Sequence, residues 1–279
     1  MIYSNNSLAN LEKWRGLLSV IVLFGHILQI FLFPVIGIKG YFQSFFGLLS
    51  NLSVVVFFFL SGMLICLSAK NISNSNNGFS WMKYLVNRVA RIYPALIVSI
   101  VIGFILIHLA QTINSTTSIQ KIYSEKYLAR ESFMISTRHF ILSFFMINSD
   151  FWKINGPIWS LIIEWWLYIS GLFFFLFISQ KKYKVIYILL AVFFCYLAID
   201  KNKGFFNGNI YYAIIWYLGV LYTLNSDFRN TIENVSATII NVLLVLSFIS
   251  LFFAKELELT HVYGILQIVF SLTFLKSET

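Results

Sequence analysis

The run Trp14-Arg15-Gly16-Leu17-Leu18-Ser19-Val20-Ile21-Val22-Leu23-Phe24-Gly25-His26 opens on a guanidinium and carries an imidazole eleven residues further on. As an α-helix, that separation advances about 16 Å in roughly three turns. Arg15 and His26 then share one face, the first near a membrane surface and the second near mid-bilayer. An ionisable group at that depth is costly and is a functional candidate by default. The alternative is a histidine satisfied by a neighbouring helix. The apolar run after Arg15 is too long for a signal-peptide core and lacks a small-residue cleavage site, so it reads as a membrane span.

Composition extends that reading to the whole chain. Hydrophobic residues make up 59% and charged residues 11%, whereas a soluble domain is nearer half apolar and a quarter charged. The protein is therefore a polytopic membrane protein. Its 30 Phe, 15 Tyr and 7 Trp suit a lipid-facing surface with aromatic belts. A net charge of +9 fits anionic headgroups or an anionic cofactor. No nucleic-acid partner is expected, because the charges are scattered over short loops. Cys66 and Cys195 fall inside apolar runs and read as packing residues, not as a disulfide framework.

Eight stretches approach the length needed to cross about 30 Å of hydrocarbon: 16–36, 45–68, 94–112, 158–179, 184–199, 209–224, 237–254 and 262–276. The fifth, sixth and last are short. All are apolar on every side, where a membrane barrel would alternate in ten-residue strands, so helices are predicted. No internal repeat is present. The tract Asn71-Ile-Ser-Asn-Ser-Asn-Asn-Gly78 reads as a polar loop. With the N-terminus inside, eleven Lys and Arg residues fall on the cytoplasmic side (13, 15, 70, 83, 88, 91, 181, 182, 184, 229 and 276) against four outside (39, 201, 203 and 255). That asymmetry predicts both termini inside. Segment 113–157 would then be external, with 133–148 an interfacial or re-entrant piece, not a span.

Three further stretches carry chemistry. Phe57-Phe58-Phe59-Leu60-Ser61-Gly62-Met63 places Ser-Gly inside a span, which predicts close helix packing. In Asn87-Arg88-Val-Ala-Arg91-Ile-Tyr93-Pro94 the two arginines lie three apart on one helical face. Pro94 is expected at the start of the third span. The pair suits either bidentate phosphate binding or ordinary anchoring at the membrane surface. In Asn155-Gly-Pro157-Ile-Trp159-Ser160-Leu-Ile-Ile-Glu164-Trp165-Trp166-Leu-Tyr168, Pro157 opens a helix, and Ser160, Glu164 and Tyr168 form a polar stripe. Glu164 is the only acidic residue within the eight stretches. It needs a cationic partner, with His26, Arg15, Arg88 or Arg91 as candidates, or it stays protonated. A purely structural intramembrane pair is the other reading. His108, His139 and His261 lie near span boundaries without ligand-spaced partners, and no metal site is expected.

In this order the stretches resemble the membrane-bound acyltransferase-3 family, whose members O-acetylate cell-surface glycans. Glu12-Lys-Trp-Arg15-Gly16 through His26 is similar to the family's Arg-x10-His opening, and Phe57–Met63 to its Phe-Phe-x-x-Ser-Gly-Phe run. Arg88-x-x-Arg91-Ile92-Tyr93-Pro94 and Trp159-Ser160-Leu161-x-x-Glu164 resemble two further signatures, and Trp216-Tyr-Leu-Gly219 is a weaker fifth match. Met63 replaces the usual aromatic, and Val55 stands where many members are acidic. The family is expected to have about ten helices and a closing Ser-Tyr-x-x-Tyr-Leu-x-His segment. Neither is found here, as in a C-terminally shortened or divergent member.

The resemblance implies one acyltransferase-3-like transmembrane domain over 1–279, built as an all-α bundle. It implies O-acyl transfer from acetyl-coenzyme A, without a metal, to a glycan or lipid-linked saccharide at the bacterial inner membrane. His26 would act as base or nucleophile, Glu164 would fix its tautomer, and Arg15 would stabilise developing negative charge. Arg88, Arg91 and Tyr93 would hold the coenzyme, while Ser160 and Trp159 orient substrate. A transporter or flippase using Arg15, His26 and Glu164 as a pathway is the alternative. Many such folds are built from internal repeats, which this chain lacks. A third reading is a non-catalytic membrane scaffold.

Overall fold

The computed structural model describes residues 5–32, 41–75, 78–112, 137–146, 158–199, 209–256 and 260–278. Among them there are ten α-helices and no strand. They are α1 (Asn5–Ile27), which runs on into a wide π turn (Leu28–Leu32), α2 (Tyr41–Ser75), α3 (Trp81–Thr112), α4 (Thr137–Phe144) and α5 (Ile158–Ser179). There follow α6 (Lys184–Ile199), α7 (Asn209–Leu224), α8 (Ser226–Glu233), α9 (Ala237–Glu256) and α10 (Thr260–Glu278).

Each of the eight predicted stretches is helical where it is described, and the protein is an all-α integral membrane protein. Val54-Val55-Val56 and Phe57-Phe58-Phe59 are indifferent helix formers in water. In hydrocarbon, however, each backbone amide must be satisfied within its own segment, and the helix does so. Among the described residues three helices are long and apolar enough to cross: Gln43–Ser75, Trp81–Ile105 and Ile158–Ser179. A fourth results if α8 and the first part of α9 count as one broken span. The apolar parts of α6, α7 and α10 are shorter, as expected for the fifth, sixth and eighth stretches. Helix α4 is 8 residues long, about 12 Å, and too short to cross.

Two expectations are corrected. Pro94 does not begin a helix: α3 starts at Trp81 and Pro94 lies inside it. The exposed polar residues before it, Lys83, Asn87 and Arg91, hid a first segment that the apolar core of α3 simply continues. The supposed loop 71–78 is helical through Ser75. The chain then turns at Gly78, whose φ of +151° suits glycine, and its N–H donates to the Ser73 carbonyl at 3.1 Å. Pro157 and residues 113–136 lie outside the described residues.

The chain divides into two compact units, Met1–Asn71 with Ile199–Thr279, and Ile72–Ala198. In the first, α1 runs antiparallel to α2, since Arg15 meets Phe57 and Gly25 meets Ser50. Helix α7 runs parallel to α2, with Tyr212 at Asn51, Gly219 at Phe59 and Thr223 at Lys70. Helix α10 runs with α7, since Gly264 lies on Tyr211 near the start of α7 and α10 also reaches α8, which follows the end of α7, while it pairs closely with α9.

In the second unit α3 and α5 are antiparallel. The Tyr84 hydroxyl donates to the Tyr168 carbonyl at 3.0 Å, and the Tyr93 ring stands edge-on to Trp165. Phe79, Tyr84 and Phe175 close one end as an aromatic trio with centroids 5.7–6.0 Å apart. Helix α6 packs on α5 through Ser170, whose hydroxyl donates to the Ala191 carbonyl at 2.7 Å, and through stacked Trp166 and Phe194. Val185, Ile186, Leu189, Val192, Phe193 and Tyr196 leave α6 an exposed apolar stripe, which suits lipid.

Candidate functional site

In the first unit, Arg15 is only 6% exposed. Its guanidinium carbon lies 4.8 Å above the centre of the Phe57 ring, and Nη1 is 3.6 Å from the exposed Glu12 carboxylate. That is an ion pair beyond hydrogen-bond length. Nε and Nη1 have no hydrogen-bond partner among the described residues. Guanidinium stays charged at any accessible pH. Buried donors of this kind are costly unless an anion or a polarised oxygen takes them. His26 lies on the same helix, half-buried, one residue before the last of α1. The π turn of 28–32 follows it directly, and such local unwinding is frequent at functional sites. Beside it Gly25 brings α1 tight against α2: a Cβ there would stand 2.9 Å from the Ser50 Cβ.

The Ser61-Gly62 motif acts through packing, as its composition predicted. A Cβ on Gly62 would run into the backbone carbonyl of Trp216, and one on Gly219 into that of Phe59. Two of the motifs, from α2 and α7, are therefore the two sides of one backbone-to-backbone crossing. Trp216 fills the crossing fully buried, its indole N–H unpartnered among the described residues.

In the second unit, the polar stripe of α5 is realised, for the Tyr168 hydroxyl donates to the Glu164 carboxylate. Both residues are buried, at 1% and 6% exposure. Arg88 is buried too, and its guanidinium lies 5.6 Å from the Tyr84 ring centre and 5.7 Å from that of Tyr168. Arg91 is exposed. Their spacing of three predicted one shared face, yet Arg88 turns inward under tyrosine faces and Arg91 outward. Tyr93, Trp159 and Ser160 are half-buried. The part of Tyr84 went unread in the sequence, although its spacing of four from Arg88 put the two on one face. His108 is exposed and stacks on Phe104. The side chains of His139 and His261 lie outside the description.

Buried ionisable side chains on apolar helices, Arg15 in the first unit and Arg88 with Glu164 in the second, are functional candidates in a membrane protein. The acyltransferase-3 family model, described as an acyltransferase domain, matches residues 8–275, and the chain belongs to that family. It is a membrane acyltransferase. No curated protein and no solved structure matches it.

Proposed function

We propose that the protein moves an acetyl group from acetyl-coenzyme A to a hydroxyl of a cell-surface polysaccharide or glycolipid sugar. It does so in the bacterial inner membrane with its N-terminus in the cytoplasm. The observation that carries this reading is the buried Arg15 guanidinium, whose Nε–H and Nη1–H make no hydrogen bond among the described residues, on the helix that also holds His26. Donors fixed in a low-dielectric setting favour negative charge, and Arg15, about three turns along α1 from His26, offers them to an anionic part of the acyl donor. Acetyl-coenzyme A supplies the acyl thioester. His26 takes the hydroxyl proton as the new C–O bond forms and the C–S bond breaks, and that proton leaves with the thiol. Glu164, held by Tyr168, is a second proton-handling group. Ser160 and Trp159 orient substrate.

The burial pattern divides the arginine pair. Arg91, exposed, is suited to the coenzyme's phosphates with Tyr93 nearby on α3, whereas Arg88 is enclosed by tyrosine rings and steadies the Glu164 stripe. A charge-assisted hydrogen bond is worth about 1.5–3 kcal/mol. Arg91→Ala should therefore raise the half-saturating acetyl-coenzyme A concentration about tenfold or more, with kcat changed far less; steady-state kinetics in nanodiscs checks this. Tyr168→Phe removes only the hydroxyl that donates to Glu164. It should lower kcat about tenfold by the same magnitude while leaving the acetyl-coenzyme A requirement near wild type.

The reading itself is tested with purified protein, radiolabelled acetyl-coenzyme A and a bacterial surface polysaccharide. Label in the polysaccharide is expected. Saccharide uptake into sealed vesicles with no acetylation would replace the reading with transport.

A further inference from the structure

Three helices of the first unit bring together polar side chains that none of the sequence motifs contains. Asn51 of α2 accepts two hydrogen bonds on its side-chain oxygen, from the Tyr212 hydroxyl of α7 at 2.9 Å and from the Gln267 amide of α10 at 3.3 Å. Gln267 is 3% exposed and Tyr212 7%, and Asn51 is half-buried. An amide oxygen has two lone pairs, so that of Asn51 is fully used. Its NH2 group and the Gln267 carbonyl make no further bond among the described residues. The cluster thus holds, on rigid helices, a donor group and an acceptor group, the Asn51 NH2 and the Gln267 carbonyl, that the described residues leave unused. A hydroxyl group both accepts and donates, and it completes that pair.

The height of the cluster fits such a role. Ser50, the residue before Asn51, is the one that Gly25 packs against, so Asn51 lies within about one helical turn of the level of His26. Tyr212 is three residues from the start of α7, and Gln267 seven from the start of α10. The cluster is therefore nearest the end of the unit where α2, α7 and α10 begin. In the orientation proposed above, that end is external, where a surface glycan arrives.

We infer that Asn51 and Gln267, steadied by Tyr212, form a saccharide subsite that grips a hydroxyl of the acceptor other than the one being acylated. This rests on the acyl-transfer reading and deepens it. A network serving only to join three helices would consume its own donors and acceptors. This one leaves a complementary pair over.

The test uses the full chain in nanodiscs with acetyl-coenzyme A and methyl glycosides of glucose, galactose and mannose as acceptors, following release of coenzyme A thiol. Asn51→Asp retains an oxygen for Tyr212 and Gln267 to bond and replaces the NH2 donor with a carboxylate oxygen. Gln267→Met keeps the volume and loses the amide. Both should raise the half-saturating glycoside concentration at least tenfold, with the half-saturating acetyl-coenzyme A concentration moving less than twofold. Glycoside half-saturation within twofold of wild type in the two variants overturns the subsite and leaves the acyl-transfer reading standing. A wild-type protein that releases no thiol with any acceptor overturns that reading, and the subsite with it.

Discussion

His26→Ala is expected to lower kcat for acetyl transfer by about 100- to 10,000-fold, the range for removing a group that handles a proton in the transition state. The half-saturating acetyl-coenzyme A concentration should change little, because the imidazole is assigned to the reacting atoms and not to the coenzyme's phosphates. The substitution is a fair test of chemistry. His26 is half-buried, and the tight contact between α1 and α2 is made by its neighbour Gly25, so shortening the imidazole leaves that contact intact. A melting curve within a few degrees of wild type, together with lost label transfer in nanodiscs, is the expected pair of results. Transfer retained within threefold in a folded His26→Ala protein would remove His26 from the reaction.

The second large effect concerns stability. Gly62→Leu or Gly219→Leu should abolish recovery of monodisperse protein from the membrane. Even the single methyl of alanine at either position meets a backbone carbonyl of the opposite helix, and a backbone cannot step aside as a side chain can. Overpacking typically costs about 1–3 kcal/mol where side chains repack, and here α2 and α7 must separate to admit the new atoms. Helix association in lipid depends on that close approach. Gly16→Ala is the matched control, since a Cβ there meets nothing within 4 Å. It should leave yield and melting temperature unchanged, or slightly improved through helix propensity. Size-exclusion profiles and thermal unfolding in detergent would decide, and normal profiles for Gly62→Leu would disprove the crossing.

The fold was largely legible because hydrocarbon leaves a backbone few choices: long apolar runs such as 45–68 and 158–179 have to be helices. Boundaries were harder. Charged and polar residues around Lys83 and Asn71 disguised helical backbone that continues past the apolar core, and Pro94 looked like an end when it lies within a helix. Ser160, Glu164 and Tyr168 were readable as a stripe, because a spacing of four fixes their common face. Spacing alone could not divide Arg88 from Arg91: which of two neighbours on a helix turns inward depends on rings brought in by α5. The polar trio of Asn51, Tyr212 and Gln267 was invisible for the same reason. Its members are up to 216 residues apart, and each alone is an ordinary polar residue in an apolar run.

The parallel course of α2 and α7 carries an electrostatic consequence. Helices lying side by side in the same sense add their macrodipoles, and two partially negative ends then gather on one side of the bilayer. The Lys70 ammonium donates to the Thr223 carbonyl at 2.7 Å, one residue before α7 ends, while the Thr223 hydroxyl donates to the Gly219 carbonyl at 3.0 Å. A positive charge supplied by one helix therefore neutralises the terminus of its neighbour. The tightest crossing in the unit is thus fastened by glycine at its middle and by a cation at its end.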